Sequence, residues 1–132
     1  MLRIFTNESP YKKQARFVAV LWTLLIFIGC FTPGKELPKI DAPFIDKWVH
    51  LLLFGGFSFL WLCSRPLLRP IWLFTMLIIS IALGASIELL QGALPSLGRA
   101  CEFLDAVADS LGALLGILLF YVLASVAKRQ RM

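Results

Sequence analysis

Charged side chains are scarce in this sequence. They make up 16% of its 132 residues, where a soluble domain carries about 25%. That shortage excludes a disordered chain and an ordinary soluble enzyme. The net charge of +5 would suggest nucleic acid in a soluble protein. Here the basic residues cluster outside the apolar runs, so no nucleic-acid partner is expected. The chain holds three cysteines, Cys30, Cys63 and Cys101, and none shows metal-ligand spacing. A disulfide between Cys30 and Cys101 is one reading of them, and three buried or interfacial thiols is the simpler one. An HExxH pattern and a cysteine-based zinc pattern are both missing, so no metal and no cofactor is assigned. No Ser-His-Asp order is recognisable, although Ser96 and Ser110 lie near the polar residues discussed below. The first apolar run lacks a small-x-small cleavage site after it and reads as a retained anchor. No internal repeat is visible.

What the sequence has in abundance is apolar residues, at 59%. A membrane-spanning helix takes about 20 residues, so four fit in this chain and five would be tight. Phe17 to Phe31 is an unbroken apolar run, and Pro33-Gly34 ends it. The expected helices cover about 15–32, 46–64, 71–91 and 102–126. Arg65-Pro66 and Arg69-Pro70 bracket a short turn, which makes the second and third helices antiparallel neighbours. Gly92 and Pro95 are expected to close the third helix. The fold class is therefore all-α, a single integral membrane domain of four transmembrane helices over residues 1–132.

Orientation follows from the basic residues. Nine of them (Arg3, Lys12, Lys13, Arg16, Arg65, Arg69, Lys128, Arg129 and Arg131) lie on the side of the two chain ends. Four, Lys35, Lys39, Lys47 and Arg99, lie on the other. The positive-inside rule puts both termini in the cytoplasm and the chain in the inner, cytoplasmic membrane as a multi-pass protein.

Ionisable residues inside membrane helices are costly and usually face the bundle interior. Here they gather at one depth, the extracytoplasmic end. Asp46 and His50 start the second helix, Glu88 and Gln91 end the third, Asp105 and Asp109 start the fourth, and Arg99 sits in the last loop. The i,i+4 and i,i+3 spacings put each pair on one helix face. Gly84, Gly112 and Gly116 allow the helix backbones to approach closely. Asp46, His50, Glu88, Gln91, Arg99, Asp105 and Asp109 thus form a candidate outward pocket. His50 beside carboxylates suits acid–base work, and Arg99 suits a phosphate or carboxylate. A metal on His50, Glu88 and Asp105 is a further reading of the same residues. The structural alternatives are equally concrete. His50 can be an interfacial residue bonded to Asp46. Glu88, Arg99 and Asp105 can be a network locking the last two helices. Asp46 and Lys47 can simply mark the membrane surface. Trp22, Trp48, Trp61 and Trp72 read as interfacial or lipid-facing residues.

At these residues the chain resembles the VanZ-like membrane proteins. DKWVHLLLFGGFSFLWL and ASIELLQGALPSLGRACEFLDAVADSLGALLG carry the resemblance, over about residues 46–116. The family pattern falls on Asp46, Lys47, His50, Glu88, Gln91, Gly98, Arg99, Asp105 and Gly112. The family's Asn position is Asp109 here, which adds an acid. The resemblance implies a cell-envelope setting and, in some members, antibiotic resistance to teicoplanin, a lipidated glycopeptide. It implies no defined reaction. Two function classes remain open. One is a binding protein for a glycopeptide antibiotic or a lipid-linked envelope intermediate among the membrane lipids. The other is a membrane hydrolase or transferase that uses the clustered acids. A channel fits less well, because the inner halves of the last two helices are almost wholly apolar.

Overall fold

In the computed structural model, residues 2–130 and 132 are described. Four α-helices carry the fold: α1 (Lys12–Phe31), α2 (Ile45–Ser64), α3 (Pro70–Ala93) and α4 (Phe103–Arg129). Three short 3-10 turns, Leu2–Phe5, Gly34–Glu36 and Pro95–Leu97, fill the connections. No strand occurs among the described residues. All four α-helices are long and apolar enough to cross a membrane. Large apolar side chains such as Leu24, Ile28, Phe74 and Leu118 stay exposed on their outer faces, which suits contact with lipid rather than water.

Four successive crossings bring the chain back to the end where it began. Phe5 confirms that return, with its ring 6.0 Å from Phe59 and 6.4 Å from Phe120. Both chain ends therefore share one end of the bundle. The 32–44 and 94–102 connections share the other, called here the loop end. Arg131, one of the nine basic residues counted above, lies outside the described residues.

Glycines bring α2 and α4 together as a parallel pair. A Cβ on Gly112 would lie 2.2 Å from the Leu51 carbonyl oxygen, and one on Gly116 would lie 2.2 Å from that of Gly55. The GALLG pattern is therefore the seam of this crossing, in register with residues 51 and 55 one turn apart. Ser58 donates to the Ala113 carbonyl at 2.9 Å and fastens the same seam.

The boundaries differ from expectation in instructive ways. α1 starts at Lys12, and Ala15, buried like Ala19, extends its packing face below the apolar run. α3 continues through Gly92 to Ala93. Gly92 makes room for the returning loop rather than ending the helix, since a Cβ there would meet Cys101 Cβ at 2.8 Å. α4 runs on to Arg129, and its last turn carries Lys128 and Arg129, which complement the helix dipole. The cysteines are free, with Cys30 and Cys63 buried and Cys101 exposed.

Two tryptophans depart from the interfacial reading. Trp22 Nε1 donates to the Leu53 carbonyl at 2.8 Å, and Trp61 Nε1 donates to Thr23 Oγ1 at 3.0 Å. Both join α1 to α2. Replacing Trp22 by phenylalanine keeps an aromatic ring and leaves the Leu53 carbonyl without this partner. We expect a loss of about 1 kcal/mol, read as a lower Tm of the detergent-purified chain. An unchanged Tm would show that the bond contributes nothing.

Candidate functional site

Helix ends explain why polar groups collect at the loop end. The last turn of a helix leaves carbonyls unsatisfied, and the first turn leaves N–H groups. α1 ends there, and its exposed carbonyls recruit donors from elsewhere in the chain. Gln91 Nε2 donates to the Cys30 carbonyl at 2.8 Å. Arg99 Nη2 donates to the Gly29 carbonyl at 3.2 Å. α4 begins there, and Glu88 Oε2 accepts from the Glu102 backbone N–H at 3.1 Å. A carboxylate at a helix N-terminus also suits the dipole. Gln91 and Glu88 of α3 thus tie the end of α1 and the start of α4 together.

Gly98 turns the chain between Gln91 and Arg99 with a left-handed backbone, φ 57°. A Cβ there meets no neighbour within 4 Å, so the cost of Gly98→Ala is purely conformational. We expect about 1–2 kcal/mol, measured as a drop in Tm. A stability equal to the parent's would contradict that reading.

Inside these caps lies a buried cluster. His50 is 5% exposed, Glu88 2% and Asp109 0%. His50 Nδ1 lies 2.9 Å from Asp109 Oδ1. With the proton on Nδ1, this is an N–H donated to the carboxylate, and Nε2 keeps its lone pair. Nε2 faces Asp105 Oδ2 at 4.0 Å, and Glu88 Oε1 lies 3.9 Å from Nδ1. Gly84 makes space for Asp109, since a Cβ there would sit 2.7 Å from Asp109 Oδ2. Glu88 Oε1 and Asp109 Oδ2 are buried and have no hydrogen-bond partner.

Lys47 holds a second, more exposed group. Its ammonium pairs with Asp46 and Glu102, and lies 2.8 Å from Asp105 Oδ1. Asp105 thereby links the two groups, with one oxygen toward Lys47 and the other toward His50. Lys47 is more than a surface marker, and Glu102 has no place in the sequence-based pocket although it closes this network. The sequence signal for both lay in their adjacency to Asp46 and Asp105. Nothing in the spacing says that α2 lies beside α4.

A cavity of about 600 Å³ opens beside these groups. Asp46, His50, Gln91, Arg99 and Asp105 line it, together with apolar walls from Leu37, Ile40, Val49 and Leu53. Glu88 and Asp109 are not on its wall. Asp109 stands behind His50 and orients its imidazole, and Glu88 holds the backbone N–H of Glu102. Arg99 Nε is buried without a hydrogen-bond partner. His50 is a buried residue bonded to α4, not an interfacial one bonded to Asp46. Glu88, Arg99 and Asp105 reach three different partners instead of one another. The two serines sit apart from this chemistry: Ser96 is exposed, and Ser110 donates to the Ala106 carbonyl of its own helix.

Neither the curated proteins nor the solved structures gave a match to this chain. The VanZ/LLP1 family pattern matches residues 3–124, nearly the whole chain. That match spans the first three helices, α4 as far as residue 124, and every residue of the cluster. The chain is a multi-pass membrane protein and belongs to the VanZ/LLP1 family.

Proposed function

We propose that this protein binds an anionic amphiphile of the cell envelope in the loop-end cavity. The ligand class is a lipidated glycopeptide antibiotic or a lipid-linked envelope intermediate, and binding contributes to teicoplanin-type tolerance. The observation that carries this reading is Arg99, a cation among the cavity's lining residues whose Nε lacks a partner, on a wall that also carries Asp46, Glu102 and Asp105. Lys47 already holds Asp46, Glu102 and Asp105, so those acids repel an incoming anion less than their number suggests. The cavity's own apolar walls, from Leu37, Ile40, Val49 and Leu53, suit an acyl chain. The basic residues of the opposite end support the cytoplasmic membrane, with the cavity facing outward.

Cells expressing the parent chain or Arg99→Gln test the reading, with teicoplanin tolerance and membrane abundance measured on the same samples. The parent raises tolerance, and the variant loses that gain at equal abundance. Tolerance unchanged in an equally abundant variant contradicts the reading. So does a parent that confers none. A collapse in the variant's abundance assigns Arg99 to the end of α1 instead.

The His50–Asp109 pair favours a second reading, a membrane enzyme acting on an envelope lipid. Asp109 would orient the imidazole so that Nε2 acts as the base. The two readings separate cleanly. An enzyme releases a product from the lipid, and a binding protein returns it intact.

A further inference from the structure

We propose that His50, Glu88 and Asp105 form a binding site for one divalent transition-metal ion. Each offers a ligand atom, and the three atoms lie within 4.8 Å of one another. The residues come from α2, α3 and α4, so the ion would join three helices at one point.

The imidazole is prepared for this role. With the proton on Nδ1, donation to Asp109 Oδ1 at 2.9 Å holds that tautomer and leaves the Nε2 lone pair free. Metal-bound histidines commonly make such a bond to a carboxylate. Asp105 gives one oxygen to Lys47 and turns the other, Oδ2, toward Nε2 at 4.0 Å. Glu88 supplies the independent observation. It is 2% exposed, yet Oε1 has no hydrogen-bond partner and lies 3.9 Å from the imidazole at Nδ1. A buried carboxylate oxygen with no partner is costly, and a cation beside it removes that cost.

Distance and charge agree. Metal–ligand bonds of about 2.0–2.2 Å place tetrahedral donors roughly 3.4 Å apart. Closing on an ion at Nε2 therefore takes a movement of about an ångström or less from Asp105, and a turn of Glu88 Oε1 away from Nδ1. Glu88, Asp105 and Asp109 bring three acids to one imidazole, and Lys47 reaches only Asp105 among them. One nitrogen and two carboxylates form a mixed donor set, between the preferences of zinc and of manganese. His50 and Asp105 line the cavity, so a three-ligand ion keeps an open position toward it. The exposed set Asp46, Glu102 and Asp105 is a weaker candidate, because the Lys47 ammonium already sits among its oxygens.

The test uses the full chain in detergent, without a histidine tag, stripped with chelator and titrated with Zn²⁺. The chain has one histidine, so a chain ¹⁵N-labelled at histidine gives a single imidazole to follow by NMR. We expect saturation at one equivalent, a displaced Nε2 resonance, and Nδ1 still protonated. In equilibrium dialysis, Glu88→Gln and Asp105→Asn each bind about tenfold or more weakly, and Asp109→Asn binds about 10–100-fold more weakly. An imidazole signal unmoved by Zn²⁺ overturns the proposal. Binding that survives His50→Gln unchanged also does, since the ion then sits on the exposed acids. The NMR readout needs only the parent chain, so it stands even if a variant fails to fold. No glycopeptide and no envelope lipid enters the measurement, which keeps its failure distinct from failure of the binding reading above.

Discussion

Gly116→Leu is expected to remove folded protein from the membrane. A Cβ at this position would lie 2.2 Å from the Gly55 carbonyl oxygen and 2.3 Å from Ser58 Oγ. The first of these is backbone, so no rotamer change relieves it. Even Gly116→Ala must push α4 away from α2, at about 1–3 kcal/mol. Leucine adds three more carbons to the same space, in a seam where Gly112 already touches the backbone of Leu51. We expect Gly116→Ala to lower Tm with reduced membrane abundance, and Gly116→Leu to give almost no monodisperse protein in detergent. Parent-like abundance and Tm for the leucine variant would mean that α2 and α4 do not cross at this glycine.

Lys47→Met is expected to have the second largest effect. The methionine keeps most of the apolar stem and removes the charge. Asp46, Glu102 and Asp105 would then face one another without their shared cation. Asp46 and Glu102 are about half exposed and water relieves them, but Asp105 is only 11% exposed in its side chain. Removing one partner of a buried ion pair costs about 3 kcal/mol, most of it here through Asp105. The double variant Lys47→Met/Asp105→Asn should recover part of the loss, because the remaining side chain carries no charge. Tm of the four chains in the cycle checks this. An additive cycle, with no recovery in the double variant, would contradict a direct Lys47–Asp105 interaction.

Much of the architecture is legible in the sequence, because a membrane forces it to be. Lipid requires long apolar runs, and Pro33, Pro70 and Pro95 punctuate them. Charges cannot scatter through such helices, so Asp46, His50, Glu88, Gln91, Asp105 and Asp109 had to share one depth. The pairing of helices is less legible. Periodicity puts Gly112 and Gly116 on one face of α4 but does not say that Leu51 and Gly55 of α2 lie against it. Lys47 looks like a surface marker until that pairing brings Glu102 and Asp105 to it. Trp22 and Trp61 look interfacial by residue type, yet each spends its N–H on an α1–α2 contact. Glu88 and Asp109 are found at the right depth, but their place off the cavity wall depends on three helices at once.

The central claim is that the loop-end cavity binds an anionic amphiphile, and direct binding tests it best. The purified full chain in lipid nanodiscs would be titrated with teicoplanin and, separately, with a lipid-linked phosphate, beside Arg99→Gln. The account predicts saturable binding of at least one ligand to the parent. The variant, equally folded by its Tm, should bind about tenfold or more weakly, as expected for losing a charge-assisted contact. No saturable binding of either ligand would contradict the account. Equal affinity in parent and variant would also contradict it.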